Sequence, residues 1–185
     1  MSTIPESPNS ALLVVDVQNG VLAGAWHRDE VIATIGTVVA QARSAGIPVI
    51  WIQDAAGNRI PGTEPWQIAD ALEPAENEPR IEKHFGDAFE ATDLREVLAR
   101  GGVGRVVVVG AQTDACIRST LHGAFVRGYD TTLVADAHTT EDLTEWGAPP
   151  PEQVVAHTNL YWSDQSAPGR EADVVDSDQL WFVNA

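Results

Sequence analysis

The sequence of 185 residues contains a single cysteine, Cys116. One cysteine cannot form a disulfide within the chain, so a disulfide-stabilised scaffold is excluded and a reducing compartment is expected. A lone cysteine is commonly a small buried apolar side chain, and the residue type alone favours that interpretation. Its position after a predicted strand favours a second interpretation, a nucleophile, and the residues alone leave both open.

Basic residues are also scarce, because 11 lysines and arginines stand against 27 aspartates and glutamates, a formal net charge of −16. We therefore expect no nucleic acid and no anionic membrane as partner, whereas a cationic substrate would be attracted unless the charge serves solubility alone. No apolar run approaches the roughly 20 residues that a membrane-spanning helix needs. The polar residues 1–10 lack the basic and apolar regions of a signal peptide, so we expect a cytoplasmic protein.

What the sequence does contain is an alternation of strand-like and helix-like segments, which we expect to form one domain over residues 1–185. The predicted strands are Ala11–Asp16, Ile47–Gln53, Arg80–Lys83, Val106–Val109, Thr131–Ala135 and Ala172–Val175. The predicted helices are residues 29–45, Thr92–Arg100, Ala115–Arg127 and Pro151–Leu160, and residues 54–78 are a predicted surface excursion. This alternation predicts an α/β fold of three layers, α/β/α, around a six-stranded parallel sheet in Rossmann-like order.

Three chemically active side chains follow strands of this predicted sheet. Asp16 ends the first strand, Lys83 ends the third, and Cys116 begins the helix after the fourth. Carboxyl ends of parallel strands share one edge, so a carboxylate, an ammonium and a thiol could converge there. The ammonium and the helix N-terminus would favour the thiolate form of Cys116. Each residue also has a simpler role, as loop cap, solvated strand end or core residue, and the spacing leaves these roles open.

Three motifs at these strand ends resemble the isochorismatase-like cysteine hydrolases, a superfamily that includes nicotinamidase, N-carbamoylsarcosine amidohydrolase and related amidases. The motifs are Ala11–Asn19, Lys83–Leu94 and Val109–Thr120. The segment Leu133–Thr140 is similar to the loop that follows strand five in that superfamily. The resemblance runs from about residue 11 to about residue 160, and the order of the motifs along the chain makes it specific.

The resemblance implies a catalytic triad of Asp16, Lys83 and Cys116. Cys116 would attack an amide carbonyl and form a thioester, Asp16 would shuttle the proton, and Lys83 would balance the charge. It also implies a cis peptide bond between Ala111 and Gln112 and an oxyanion hole formed by the backbone N–H groups of Gln112 and Cys116. Loss of one such donor typically lowers the rate by ~10²–10³-fold.

The sequence also differs from some members of the superfamily in ways that restrict the expected reaction. Metal-dependent nicotinamidases carry an aspartate and two histidines after strand two, whereas residues 51–64 here contain Asp54 and no histidine. We therefore expect no metal and no cofactor, with weak binding near Asp54 left open. The presence of Cys116 favours amide hydrolysis over the vinyl-ether cleavage of the isochorismatases of siderophore pathways.

The substrate is less well specified by the sequence. The predicted substrate-binding residues are Gln18, Trp26, Phe85 and Asp87. Arg59 and Arg118 are the two candidates for binding a carboxylate, and acidic residues flank the expected mouth, so we predict a neutral or cationic amide. A cyclic amide is included, since some members of the superfamily open the lactam of streptothricin. The alternatives are an isochorismatase-type hydrolase of another small metabolite and a non-catalytic scaffold member of the fold, and we expect a homo-oligomer, a dimer or tetramer.

Overall fold

The computed structural model describes residues 2–57 and 59–184, and a twisted sheet forms its middle layer. The strands are β1 (Asn9–Val15), β2 (Val49–Asp54), β3 (Arg80–Lys83), β4 (Val103–Ala111), β5 (Asp130–Thr139), β6 (Ser166–Ala167) and β7 (Arg170–Val175). Their order across the sheet is β3-β2-β1-β4-β5-β7-β6. All pairs are parallel except the β6–β7 pair. The predicted Rossmann-like order is confirmed.

Helices cover both faces of the sheet and complete the predicted three layers. They are α1 (Asn19–Leu22), α2 (Arg28–Ser44), α3 (Leu94–Arg100), α4 (Arg118–Val126) and α5 (Pro151–Ser163). The apolar stripe of α2 packs on the face that carries Leu12, Val14 and Trp51. Residues of α3, α4 and α5 pack on the opposite face. The strands are apolar on both faces because each face buries a helical layer.

The structure differs from the sequence prediction at two elements that bear on topology. The two-residue strand β6 adds an antiparallel seventh strand to the predicted six, because the chain turns back on β7 as a short hairpin. Strand β5 runs four residues beyond its predicted end at Ala135, since His138 and Thr139 pair with Gly110 and Ala111 of β4. This extension brings β5 alongside the turn that follows β4.

The local structure of Cys116 also differs from the prediction. Residues Thr113–Ile117 form a π-helical turn, and α4 begins only at Arg118. The turn is wide because the backbone N–H of Ile117 donates to the carbonyl oxygen of Gln112, five residues earlier, at 3.1 Å. The N–H of Ala115 donates to the same oxygen, also at 3.1 Å. Cys116 therefore lies in a π turn and not in the first turn of an α-helix.

Strands β1 and β4 approach each other very closely below the site. Gly110 has φ of 124°, in the region that favours glycine, and a Cβ built there would lie 2.0 Å from the carbonyl oxygen of Val15. No other residue type fits this position without a backbone shift. The close approach places Asp16, the residue after Val15, next to the turn that carries Cys116.

Candidate active site

The structure brings together the three side chains that the sequence predicts to converge, and we call them the catalytic cluster: Asp16, Lys83 and Cys116. Lys83 Nζ lies 2.7 Å from Asp16 Oδ2 and 3.2 Å from Cys116 Sγ. Asp16 and Lys83 are each 1% exposed, and Cys116 is half-buried. The ammonium thus bridges the carboxylate and the sulfur in an almost dry setting, where charges interact strongly.

Burial is the largest influence on the pKa values of Asp16 and Cys116. It raises the pKa of Asp16 to about 6, although Lys83 and Cys116 act in the opposite direction. Burial and the charge of Asp16 raise the pKa of Cys116 to about 12, against the lowering effect of Lys83. The expectation of a lowered thiol pKa is therefore wrong for the resting protein, because desolvation exceeds the attraction of the ammonium. The resting cluster at neutral pH holds an ionised Asp16, an ammonium at Lys83 and a neutral thiol.

Asp16 retains hydrogen-bonding capacity. Its Oδ2 atom pairs with Lys83, while Oδ1 has no hydrogen-bond partner among residues 2–57 and 59–184. A buried carboxylate oxygen of this kind is unusual in folded proteins. It can accept a proton from the thiol or from a bound molecule, which is the task of a general base.

The turn that carries the sulfur begins with a cis peptide bond between Ala111 and Gln112, at the position that the resemblance implies. The side chain of Gln112 holds this turn between two loops. Its Nε2 donates to the carbonyl oxygen of Val21 at 2.9 Å, and its Oε1 accepts the N–H of Glu141 at 2.8 Å. The backbone N–H groups of Gln112 and Cys116 belong to this turn, and their role as an oxyanion hole stays a prediction.

A second buried polar group supports the same turn, and we call it the His138 network: Thr113, His138 and Asn159. The ring of His138 contacts Thr113 Oγ1 through Nδ1 at 2.8 Å and Asn159 Oδ1 through Nε2 at 2.9 Å. Asn159 Nδ2 donates to the carbonyl oxygen of Ala135 at 3.1 Å. Thr113 and Asn159 are not among the site residues that the sequence predicts. The one sequence feature that could have indicated this network is a histidine and a threonine beside the ends of two apolar strands.

Gln18, which the sequence predicts to bind substrate, is engaged in hydrogen bonds within the fold, and its contact with a substrate stays a prediction. Its Nε2 donates to the carbonyl oxygens of Asp54 at 3.0 Å and Trp66 at 2.9 Å, and its Oε1 accepts the N–H of Asp54 at 2.8 Å. Both amide protons are thus committed, and the side chain is 0% exposed. Gln18 ties the end of β1 to β2 and to the excursion after it.

Asp87 likewise makes contacts within the fold, and its contact with a substrate stays a prediction. Its carboxylate pairs with Arg127 at 2.8 Å and accepts the N–H of Phe89 at 2.9 Å. It also packs on Gly123 of α4, where an added Cβ would lie 2.3 Å from Asp87 Oδ1. These contacts anchor the loop after β3 to α4.

The other two predicted substrate contacts are more accessible. Phe85, two residues after Lys83, is 56% exposed. Trp26 is half-buried, and its backbone N–H donates to the carbonyl oxygen of Thr140 at 2.9 Å. Contacts of Trp26 and Phe85 with a substrate stay predictions.

The region after β2 contains an ion pair in place of a set of histidines. Asp54 Oδ2 accepts a short hydrogen bond from Arg59 Nη2, and Asp54 Oδ1 accepts the N–H of Ala56 at 2.8 Å. Within residues 2–57 and 59–184, no three His, Cys, Asp or Glu side chains cluster in a way that could hold a metal ion. Arg118, the other basic candidate, is exposed at the start of α4.

Comparison with known proteins agrees with this geometry. The family model described as the isochorismatase domain matches residues 10–148, which include the whole catalytic cluster. This chain belongs to the isochorismatase family. The streptothricin hydrolase of Streptomyces noursei is 33% identical over 143 residues, which are 74% of this chain and 56% of that protein. The chain thus matches little more than half of that relative's length.

Two further relatives support the assignment. The ureidoacrylate amidohydrolase RutB of Methylobacterium radiotolerans is 31% identical over 170 residues, 68% of this chain and 65% of that protein. An isochorismatase of known structure from Pseudomonas putida KT2440 superposes with a TM-score of 0.84 at 28% identity, over 94% of this chain and 90% of that one. The isochorismatase family consists of hydrolases, and its amidohydrolase members act on C–N bonds. In the described part of the chain, no helix is long and apolar enough to cross a membrane.

Proposed function

We propose that this protein is a cysteine-dependent hydrolase that cleaves the C–N bond of a small amide or lactam through a thioester at Cys116. The observation that carries the proposal is the position of Lys83 Nζ, 2.7 Å from the carboxylate of Asp16 and 3.2 Å from the sulfur of Cys116. A base, a nucleophile and a fixed cation in mutual contact are the groups that covalent amide hydrolysis requires.

In the first half of the reaction, Asp16 takes the proton of the thiol while the sulfur attacks the carbonyl carbon. Burial raises the pKa of the thiol, which favours a proton transfer that accompanies the attack. Lys83 keeps its positive charge and stabilises the sulfur as its negative charge develops. The protonated Asp16 then gives its proton to the leaving nitrogen, the C–N bond breaks, and an acyl thioester remains on Cys116.

In the second half, water replaces the amine. Asp16 takes a proton from the water, whose oxygen attacks the thioester carbonyl carbon. The bond between carbon and sulfur breaks, and the thiolate of Cys116 regains the proton from Asp16. The products are a carboxylic acid and an amine or ammonia, and the cluster returns to its resting protonation state.

The substrate class in this proposal is a neutral or cationic amide, cyclic amides included. Arg59 is paired with Asp54, so the region after β2 carries no net positive charge to bind a carboxylate. The formal net charge of −16 acts in the same direction. The similarity to a streptothricin hydrolase supports this choice.

The experiment is a panel of neutral, cationic, cyclic and anionic amides, with acid-quenched samples analysed by intact mass. We expect turnover of at least one non-anionic amide and an acyl adduct on the wild-type protein that hydroxylamine removes. The matched control, Cys116→Ser, should give neither. Turnover that persists in the control would favour another isochorismatase-type hydrolase, and absence of turnover and adduct across the panel would favour the non-catalytic scaffold. The predicted homo-oligomer and cytoplasmic location stay predictions.

A further inference from the structure

The ion pair of Asp54 and Arg59 lies on the same face of the sheet as the catalytic cluster. Along β2, Ile50 and Ile52 face the core layer that Cys116 packs against, and Asp54 continues this alternation. Asp54 is also the register partner of Lys83 on β3. Register partners on parallel strands point to the same face and are separated by one strand spacing, about 4.8 Å. Asp54 is therefore an immediate neighbour of Lys83.

Arg59 has a hydrogen-bond donor left over after it pairs with Asp54. Its Nη2 is used by the carboxylate, whereas its Nε is buried and has no partner in the described part of the chain. The side chain as a whole is 29% exposed, so part of it faces solvent while the Nε atom itself is buried. A guanidinium whose partner, Asp54, neighbours Lys83 is suited to bind an oxygen atom of a molecule held at the catalytic cluster.

The charge of the pair decides which oxygen it prefers. Asp54 neutralises the guanidinium and would repel a carboxylate placed against it, but it does not penalise a neutral carbonyl. We propose that Arg59 is a specificity-determining residue, which donates a hydrogen bond to a second, neutral carbonyl oxygen of the substrate. The inference rests on the proposed function and names its substrate class: small amides that carry another carbonyl group near the scissile one.

Three amides of matched length test this inference: succinamide, which has a second neutral carbonyl, succinamate, which has a carboxylate there, and butyramide, which has neither. The measurements are kcat/KM for each amide and, independently of turnover, the amide concentration that halves the rate of Cys116 labelling by iodoacetamide at pH 9. We expect wild-type protein to prefer succinamide over butyramide by about tenfold, the usual effect of one hydrogen bond to a charged donor. Succinamate should rank last.

Variants of the ion pair then test whether it causes the preference for succinamide. Arg59→Met should reduce the ratio of succinamide to butyramide to about 1, with partial recovery in Arg59→Lys. Asp54→Asn should raise the kcat/KM for succinamate relative to that for succinamide, since no carboxylate then balances the charge of the guanidinium. Arg95→Met, a matched change at an exposed arginine of α3, should leave the ratio as in wild type.

Two results would overturn the inference: an unchanged ratio in Arg59→Met, or an absence of protection of Cys116 by any of the three amides. An equal loss for all three amides in Arg59→Met is one form of the first result, because the ratio is then unchanged and Arg59 would be a support of the loop. Selective protection by succinamide without turnover of any amide would keep the inference about Arg59 and reject the proposed hydrolysis.

Discussion

Two buried polar groups lie side by side at the carboxyl edge of the sheet, and they differ in how completely their hydrogen bonds are satisfied. In the His138 network, both ring nitrogens and the amide of Asn159 have partners within 3.1 Å. In the catalytic cluster, Asp16 Oδ1 has no hydrogen-bond partner in the described part of the chain, and Asp16 and Cys116 both have raised pKa values. Spare hydrogen-bonding capacity marks a reactive site, whereas saturated hydrogen bonds mark a structural support.

The hydrogen bonds of the His138 network also fix its protonation. Because Asn159 Nδ2 donates to the carbonyl oxygen of Ala135, Asn159 Oδ1 is the acceptor and His138 Nε2 carries the proton. In a neutral ring Nδ1 is then an acceptor, which takes the hydroxyl proton of Thr113. Burial lowers the pKa of His138 to about 4, so the neutral ring is the stable form at physiological pH. The network holds the turn without taking part in proton transfer.

The largest expected effect comes from removing the cation of the catalytic cluster. In Lys83→Met the side chain keeps its approximate length, but neither Asp16 nor the developing thiolate has a positive partner. We expect kcat/KM to fall by about 10²–10⁴-fold, the range that positioned catalytic side chains contribute. Steady-state kinetics measures the loss, with thermal unfolding as a control for folding. A loss below tenfold would contradict the assigned role of Lys83.

The next largest effect is expected in the pH dependence of kcat/KM. The pKa of Asp16 is about 6 in the folded protein, and only its ionised form accepts the thiol proton. We therefore expect kcat/KM to fall about tenfold per unit below pH 6 and to stay level from pH 7 to 9. The profile in wild-type protein measures this directly. A rise of kcat/KM between pH 7 and 9 would instead mean that the reaction starts from a thiolate already formed in the resting protein.

Much of the fold and of the catalytic cluster could be predicted from the sequence. The features that could not be predicted depend on contacts between residues that are distant along the chain. The alternation of apolar strands placed Asp16, Lys83 and Cys116 on one edge, and the bounds predicted for β3 agree with the structure. The hydrogen bonds of Gln18 and Asp87 within the fold were missed because their partners lie 36 to 48 and 40 positions away, respectively. No local pattern shows that such side chains are already used. The raised thiol pKa was missed for the same reason, since desolvation is a property of the packed site.

The smallest effect on catalysis, and a distinct effect on stability, is expected at His138. Its pKa is 6.5 in the unfolded chain and about 4 in the fold, so the unfolded chain binds more protons between these values. Acidification from pH 6.5 to 4 therefore lowers the free energy of unfolding, by up to about 3 kcal/mol from this residue. Asp16 acts with the opposite sign, because its pKa rises on folding from 3.8 to about 6.

Comparison of wild type with His138→Gln removes the contribution of Asp16, which both proteins share. At pH 7.5 we expect the variant to be less stable by about 1–3 kcal/mol, since Thr113 and Asn159 lose their shared partner. Urea unfolding at several pH values should show this gap narrowing toward pH 4.5, because the wild-type histidine is the group that acid destabilises. In the same variant kcat/KM should fall less than tenfold and its acid limb should stay near pH 6. A loss as large as that in Lys83→Met would mean that the network takes part in the chemistry, and a gap that does not change with pH would mean that His138 is not held neutral by the fold.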